Sequence, residues 1–151
     1  MIMPSAESAD PWQNAHNWPV RVYYEDTDAG GIVFYANYLK FFERARTDFL
    51  RAHGITQSET MQTRQIFVVR RVAVDYQKPA RLDDVLRVTC AVHACSRARV
   101  IFRQRACLPD GTQLVHAEVE VASVSMDTLK PIAMAKWQLQ QLKPQVENTD
   151  D

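Results

Sequence analysis

The stretch Tyr38-Leu39-Lys40-Phe41-Phe42-Glu43-Arg44-Ala45-Arg46-Thr47-Asp48-Phe49-Leu50-Arg51, closed by Ala52-His53-Gly54, decides the fold: it is the one long segment whose apolar residues recur at helical spacing. Tyr38, Leu39, Phe42, Ala45, Phe49 and Leu50 fall on one side, and Lys40, Glu43, Arg44, Thr47, Asp48 and Arg51 fall largely on the other. That distribution predicts an amphipathic helix from about residue 36 to 53, roughly 27 Å long at the standard rise. Gly54 suits the left-handed position that closes a helix, and Asp48 and Arg51 stand at pairing distance along it. Phe41, Phe42 and Phe49 read as core. Thr56 and Glu59 have capping-box spacing, which predicts a short second helix through Thr63.

On either side of this helix the pattern is that of strands. Val20, Val22 and Tyr24 alternate with Arg21 and Tyr23, a half-buried strand over Trp18 to Tyr24. After Gln65 the segments Ile66 to Tyr76, Val85 to Cys95, Arg97 to Cys107 and Leu114 to Met126 are rich in Val, Ile and Phe. The turns at 78–84 and 109–112 are too short for helical crossovers, so the strands join as antiparallel hairpins. The resulting order, β-α-β-β-β-β with one long helix and no other able to cover a sheet, is α+β.

Length and charge narrow the function. A chain of 151 residues accommodates one domain, read as residues 17–143 between flexible tails at 1–16 and 144–151. Eighteen basic and eighteen acidic side chains give zero formal charge, which argues against nucleic acid as a partner. The longest uncharged run, Ala29 to Leu39, is 11 residues, short of the roughly 20 a membrane span requires. No basic region followed by an apolar run opens the chain, so a cytoplasmic location is expected. Cys90, Cys95 and Cys107 form no metal-ligand pattern, and a metal is not expected. There is no nucleophile elbow, phosphate loop or His-Glu-x-x-His motif.

The informative run is Tyr24-Glu25-Asp26-Thr27-Asp28-Ala29-Gly30-Gly31-Ile32-Val33-Phe34-Tyr35-Ala36-Asn37, which sets three carboxylates before two glycines and then enters the helix. The paired glycines imply a positive φ or a close approach. A helix start supplies unpaired N–H groups that can stabilise an oxyanion, and a carboxylate just upstream can attack a carbonyl or activate water. Equally, Asp26 or Asp28 can serve only to organise the turn.

This run, continued through Leu39-Lys40-Phe41-Phe42-Glu43-Arg44-Ala45-Arg46, resembles the signature of hotdog-fold acyl-CoA thioesterases of the YbgC type, associated with the Tol-Pal system and related to the 4-hydroxybenzoyl-CoA thioesterases. Phe67-Val68-Val69-Arg70-Arg71 and Tyr76-x-x-Pro79-Ala80-Arg81-Leu82-Asp83-Asp84 extend the resemblance over Trp18 to about Pro131. It implies a hotdog fold, one long central helix wrapped by a five-stranded antiparallel sheet. It further implies hydrolysis of acyl-CoA or acyl-carrier-protein thioesters to free acid and thiol. No cofactor is implied, since coenzyme A is part of the substrate.

By resemblance, Asp28 is the catalytic nucleophile or general base, and the backbone N–H of Tyr35 is the oxyanion donor. Many relatives carry His where Tyr35 stands, whereas the benzoyl-type enzymes carry Tyr. The backbone donor is common to both. Dimers paired into tetramers are implied, with the site at a subunit interface. Tyr38 and Val68 are candidates to line an acyl channel, with Val68 contributed by the other subunit. Arg97, Arg99, Arg103 and Arg105 recur on one predicted strand face; Arg97 and Arg99 are candidates for the coenzyme A phosphates, whereas Glu118 and Glu120 offer cross-strand partners instead. Two other readings stand beside hydrolysis. One is a non-catalytic scaffold for acyl-carrier protein or phospholipid-synthesis enzymes, which would have no need of Asp28. The other is a dehydratase, for which no catalytic His stands at a matching position.

Overall fold

The computed structural model describes residues 15–143. The strands are β1 (His16–Arg21), β2 (Gln65–Tyr76), β3 (Val85–Ser96), β4 (Arg99–Cys107) and β5 (Gln113–Ser125). The helices are α1 (Tyr38–Ala52), α2 (Gln57–Gln62) and α3 (Lys136–Gln141). The strands form one antiparallel sheet in the order β1-β3-β4-β5-β2, so β1 and β2 are its edges.

Helix α1 lies against the sheet because Tyr38, Phe41, Phe42, Ala45 and Phe49 make one buried stripe. Phe49 meets Phe102 of β4 edge-to-face at 5.9 Å, and Val88, Val92, Val100 and Val119 complete the same core. Phe41 is buried, as its reading as core requires, but Leu39, expected on the apolar face, remains 42% exposed. The helix ends as foreseen, with Gly54 at φ +81 and the Ile55 N–H donating to the Leu50 carbonyl. Thr56 caps α2 by accepting from the Glu59 N–H, but the Glu59 carboxylate does not return the bond: its Oε1 is buried without a partner.

Three expectations need correction. The first strand begins at His16 rather than Trp18, because His16 pairs with Cys90 and its Nε2 lies 2.6 Å from Asp48 of α1; His16 is therefore not in a tail. The rest of the expected tails, 1–14 and 144–151, lies outside the described residues. The β4 strand starts at Arg99, so Arg97 belongs to the preceding turn, where its carbonyl accepts from the Met134 N–H. Finally, α3 was not anticipated. It is held by a reciprocal amide pair between the buried side chains of Gln138 and Gln65, at 3.0 and 3.2 Å, and Ser123 accepts from the same Gln65 amide.

Candidate active site

The chain leaves β1, turns through Tyr24–Asp26 as a single 3-10 turn and forms a tight loop in which Thr27 bridges to Val33. The three carboxylates of this loop have separate fates. Asp26 is wholly structural: one oxygen accepts from the Tyr23 N–H and the other from the Asn37 side-chain amide, each at 2.8 Å, which ties the loop to the start of α1. Glu25 is exposed. Asp28 is exposed and accepts the Gly30 N–H on Oδ1 at 2.8 Å, while Oδ2 takes no partner among the described residues. Both expectations for the glycine pair appear, one at each position. Gly31 adopts φ +82, and a side chain at Gly30 would come within 3.3 Å of the Asp28 carboxylate.

The helix start is pinned on three sides. The Val33 N–H donates to the Ala80 carbonyl at 2.9 Å and the Phe34 N–H to the Asp26 carbonyl at 3.0 Å. The Tyr76 hydroxyl donates to the Tyr35 carbonyl at 2.9 Å. Within this frame the N–H groups of Tyr35 and Ala36, the first two of the turn that leads into α1, donate to nothing among the described residues. Such groups are the orphan donors of a helix start, with the positive end of the backbone dipoles behind them.

Beside them lies a largely apolar recess of about 280 Å³ lined by Val33, Tyr35, Tyr38, Tyr76, Lys78 and Pro79. Tyr76 meets Tyr35 and Tyr38 edge-on at 6.1 and 5.7 Å. Tyr38 is buried and its oxygen accepts the Ala80 N–H; burial pushes its phenol above the ordinary range, against the smaller opposite pull of that bond. The Tyr35 ring is exposed. Tyr76 and Pro79, quoted only as part of the motif, are thus also wall residues. Their position at and just beyond the end of β2 gave no separate sign of it.

The other candidates lie elsewhere in the protomer. Arg99, Ala122 and Val68 share one row across β4, β5 and β2. That row faces away from α1, since its neighbours Val100, Val121 and Val69 point to the helix side, where Val100 and Val121 are core. Val68 therefore does not line the helix-side recess of its own chain; Phe67 packs against the core in its place. Arg99 pairs with Glu120 at 3.2 Å and Arg103 lies 3.8 Å from Glu118, the cross-strand partners weighed for this face. The Val68 row lies eight residues along β2 from Tyr76, about 26 Å at the strand rise. Asp28 and the Arg97–Arg99 turn thus occupy opposite ends of one sheet.

Comparison with known proteins bears on the fold and the family. The family model of the thioesterase-like superfamily matches residues 22–142. The chain is 47% identical over 119 residues to the acyl-CoA thioester hydrolase YbgC of Escherichia coli O6:H1, covering 79% of this chain and 89% of that protein. It is 46% identical over 124 residues to the acyl-CoA thioesterase YbgC of Haemophilus influenzae, covering 82% and 90%. Among solved structures, a probable thioesterase from Bartonella henselae superposes with a TM-score of 0.75 at 32% identity, covering 80% of this chain and 99% of that one. With its five-stranded sheet around one long helix, this chain has the hotdog fold and belongs to the thioesterase-like superfamily, among the YbgC proteins.

Proposed function

We infer that this chain hydrolyses acyl-CoA thioesters to free acid and thiol, with Asp28 as the catalytic carboxylate and the N–H groups at the start of α1 as the oxyanion site. The observation that carries this is the meeting, in one loop, of a carboxylate oxygen and helix-start N–H donors that have no partner among the described residues. Asp28 acts on the thioester carbon directly or through a water that it deprotonates. Either route moves charge onto the carbonyl oxygen, and donors already fixed in place stabilise that charge without reorganising. The C–S bond then breaks, coenzyme A leaves as the thiol, and water supplies the second carboxylate oxygen. The chemistry calls for no prosthetic group, coenzyme A being part of the substrate. Tyr38 and its neighbours in the recess receive the acyl group.

The second part of this reading is a homodimer. Edge strand β2 is 12 residues long, contains no proline and exposes Val69, Val72 and Tyr76, the features that make an edge a template for another strand. Pairing two β2 edges antiparallel brings the β3–β4 turn of one copy, with Arg97 and Arg99, to the Asp28 end of the other. There the two arginines can bind phosphates of coenzyme A, which a single protomer holds at the far end of its sheet.

The test is release of free thiol from short, long and aromatic acyl-CoAs, and from acyl-carrier-protein thioesters, by wild type and Asp28→Asn in parallel. Turnover that the variant loses while remaining folded supports the reading. Undiminished turnover by Asp28→Asn overturns the assignment of Asp28, and no turnover on any substrate overturns the hydrolase.

A further inference from the structure

The recess beside the helix start holds an uneven set of polar groups. Three acceptors in and around it are already occupied. The Tyr35 carbonyl takes the Tyr76 hydroxyl, the Ala80 carbonyl takes the Val33 N–H, and the Gln77 side-chain carbonyl takes the Gln113 amide, each at 2.9 Å. What is left over donates. Tyr38 is 2% exposed and its hydroxyl oxygen accepts the Ala80 N–H at 3.2 Å, but no acceptor among the described residues takes the hydroxyl hydrogen. Asp84 is near enough for its charge to be felt at Tyr38, yet its Oδ2 accepts from the Arg81 N–H at 2.8 Å and no bond joins it to the phenol. Lys78 lines the same recess and forms no ion pair among the described residues, although Asp110 feels its charge.

A phenol has one hydrogen to donate besides the lone pairs through which it accepts. Buried polar groups are nearly always matched, so the unmatched hydrogen of Tyr38 calls for an acceptor from outside the chain. At about 280 Å³ the recess lies just under the roughly 300–1,000 Å³ of drug-sized pockets and suits a short acyl group. A plain alkyl chain seated there shuts water away from the Tyr38 hydroxyl and returns nothing to it. An oxygen carried on the chain accepts the hydrogen and removes that penalty.

We propose that this recess selects a short acyl group bearing an acceptor oxygen beyond the thioester carbonyl. Tyr38 reads that oxygen through its hydroxyl hydrogen, and the Lys78 ammonium favours a carboxylate over a hydroxyl or keto group. The proposal rests on the hydrolase reading for the placement of the acyl group and adds what that group must carry.

The test compares coenzyme A esters matched in carbon count, 3-hydroxybutyryl with butyryl and glutaryl with valeryl. Binding is measured by calorimetry on Asp28→Asn, and kcat/KM by thiol release with wild type. The 3-hydroxybutyryl ester should bind about threefold to tenfold more tightly than the butyryl ester, the worth of one net hydrogen bond. The glutaryl ester should exceed the valeryl ester by more than about tenfold, because its bonds are charge-assisted. Adding Tyr38→Phe should bring the 3-hydroxybutyryl ratio to about one and shrink the glutaryl ratio, whereas Lys78→Met should shrink only the glutaryl ratio. Each ratio is read within one protein, so stability lost when the Ala80 N–H forfeits its acceptor does not enter it, and circular dichroism checks the fold. Should Tyr38→Phe fail to fold, the ratios of the Tyr38 proteins decide. A preference within one pair alone, lost in Tyr38→Phe, supports the proposal and identifies the oxygen that the recess takes. Equal affinities within both pairs, or ratios that persist in Tyr38→Phe, overturn it while leaving hydrolysis standing. Tighter binding of the oxygenated esters without thiol release from any ester upholds the recess and overturns hydrolysis. Failure of every ester to bind overturns both.

Discussion

The Tyr76 hydroxyl donates a 2.9 Å hydrogen bond to the Tyr35 carbonyl across 41 residues of sequence, while its ring packs edge-on against Tyr35 and Tyr38. It thereby joins the end of the exposed edge strand to the turn that presents the free N–H groups. Tyr76→Phe keeps the ring and removes the bond, which is worth about 0.5–1.5 kcal/mol when measured as a net contribution. The expected result is a fall in kcat of about two- to tenfold, with KM nearly constant, because the donors it steadies act in the transition state. A loss confined to KM, or an unchanged kcat, would show that the bond does not steady the oxyanion site.

The division of labour between Asp26 and Asp28 gives a paired prediction. Asp26→Ala leaves the buried Asn37 amide and the Tyr23 N–H without their acceptor, at a cost of about 1–3 kcal/mol. Asp28→Ala removes one exposed bond to the Gly30 N–H and should cost less than about 1 kcal/mol. Urea unfolding ranks the two for stability and thiol release ranks them for turnover. The order should reverse in the sense that the variant harmless to stability is the one that abolishes the reaction.

How far these assignments could be read from the residues differs from place to place. The long helix and the antiparallel strands follow from apolar spacing, and the tight loop follows from Gly30-Gly31, because those signals are local. The choice between Asp26 and Asp28 was not local: both are turn-forming residues, and only the contact with Asn37, eleven positions on, commits Asp26 to structure. The face that Val68 takes in its own chain was not legible for a different reason. Phe67-Val68-Val69 is apolar throughout, so no alternation marks its faces, and the bulge between Val69 and Arg71 shifts the strand's phase. Arg97 was assigned to a strand because its turn contains neither Gly nor Pro.

Helix α3 was invisible for the same kind of reason, and it can be tested directly. Its six residues carry no long apolar period, and what holds it is an amide pair between residues 73 positions apart. Gln138→Ala strips partners from the buried Gln65 side chain and from the Ala135 N–H. A loss of about 2–3 kcal/mol in global stability is expected, together with faster amide exchange over 134–142. An effect under about 0.5 kcal/mol would mean that Leu139 and Leu142 dock the helix without the polar pair.

The alkaline limit of stability should be set partly by Cys90. This side chain is fully buried beneath α1, and burial pushes its thiol well above the usual range, while nearby Arg46 pulls less strongly the other way. In the unfolded chain the thiol ionises near pH 8.5, so above that value the unfolded state releases a proton that the folded state retains. Folding stability contributed by the neutral thiol is therefore intact below about pH 8.5 and is lost as pH rises toward the folded value, by up to about 1.4 kcal/mol per pH unit. Tyr38, also raised by burial, adds to the decline above about pH 10. Cys90→Ala should be less stable than wild type at pH 7 by about 1 kcal/mol, from the small cavity that it leaves. Its stability should then fall less steeply, so that denaturant titrations of the two proteins converge between about pH 9 and pH 10. Parallel curves across that interval would show that ionisation of Cys90 does not govern the alkaline decline.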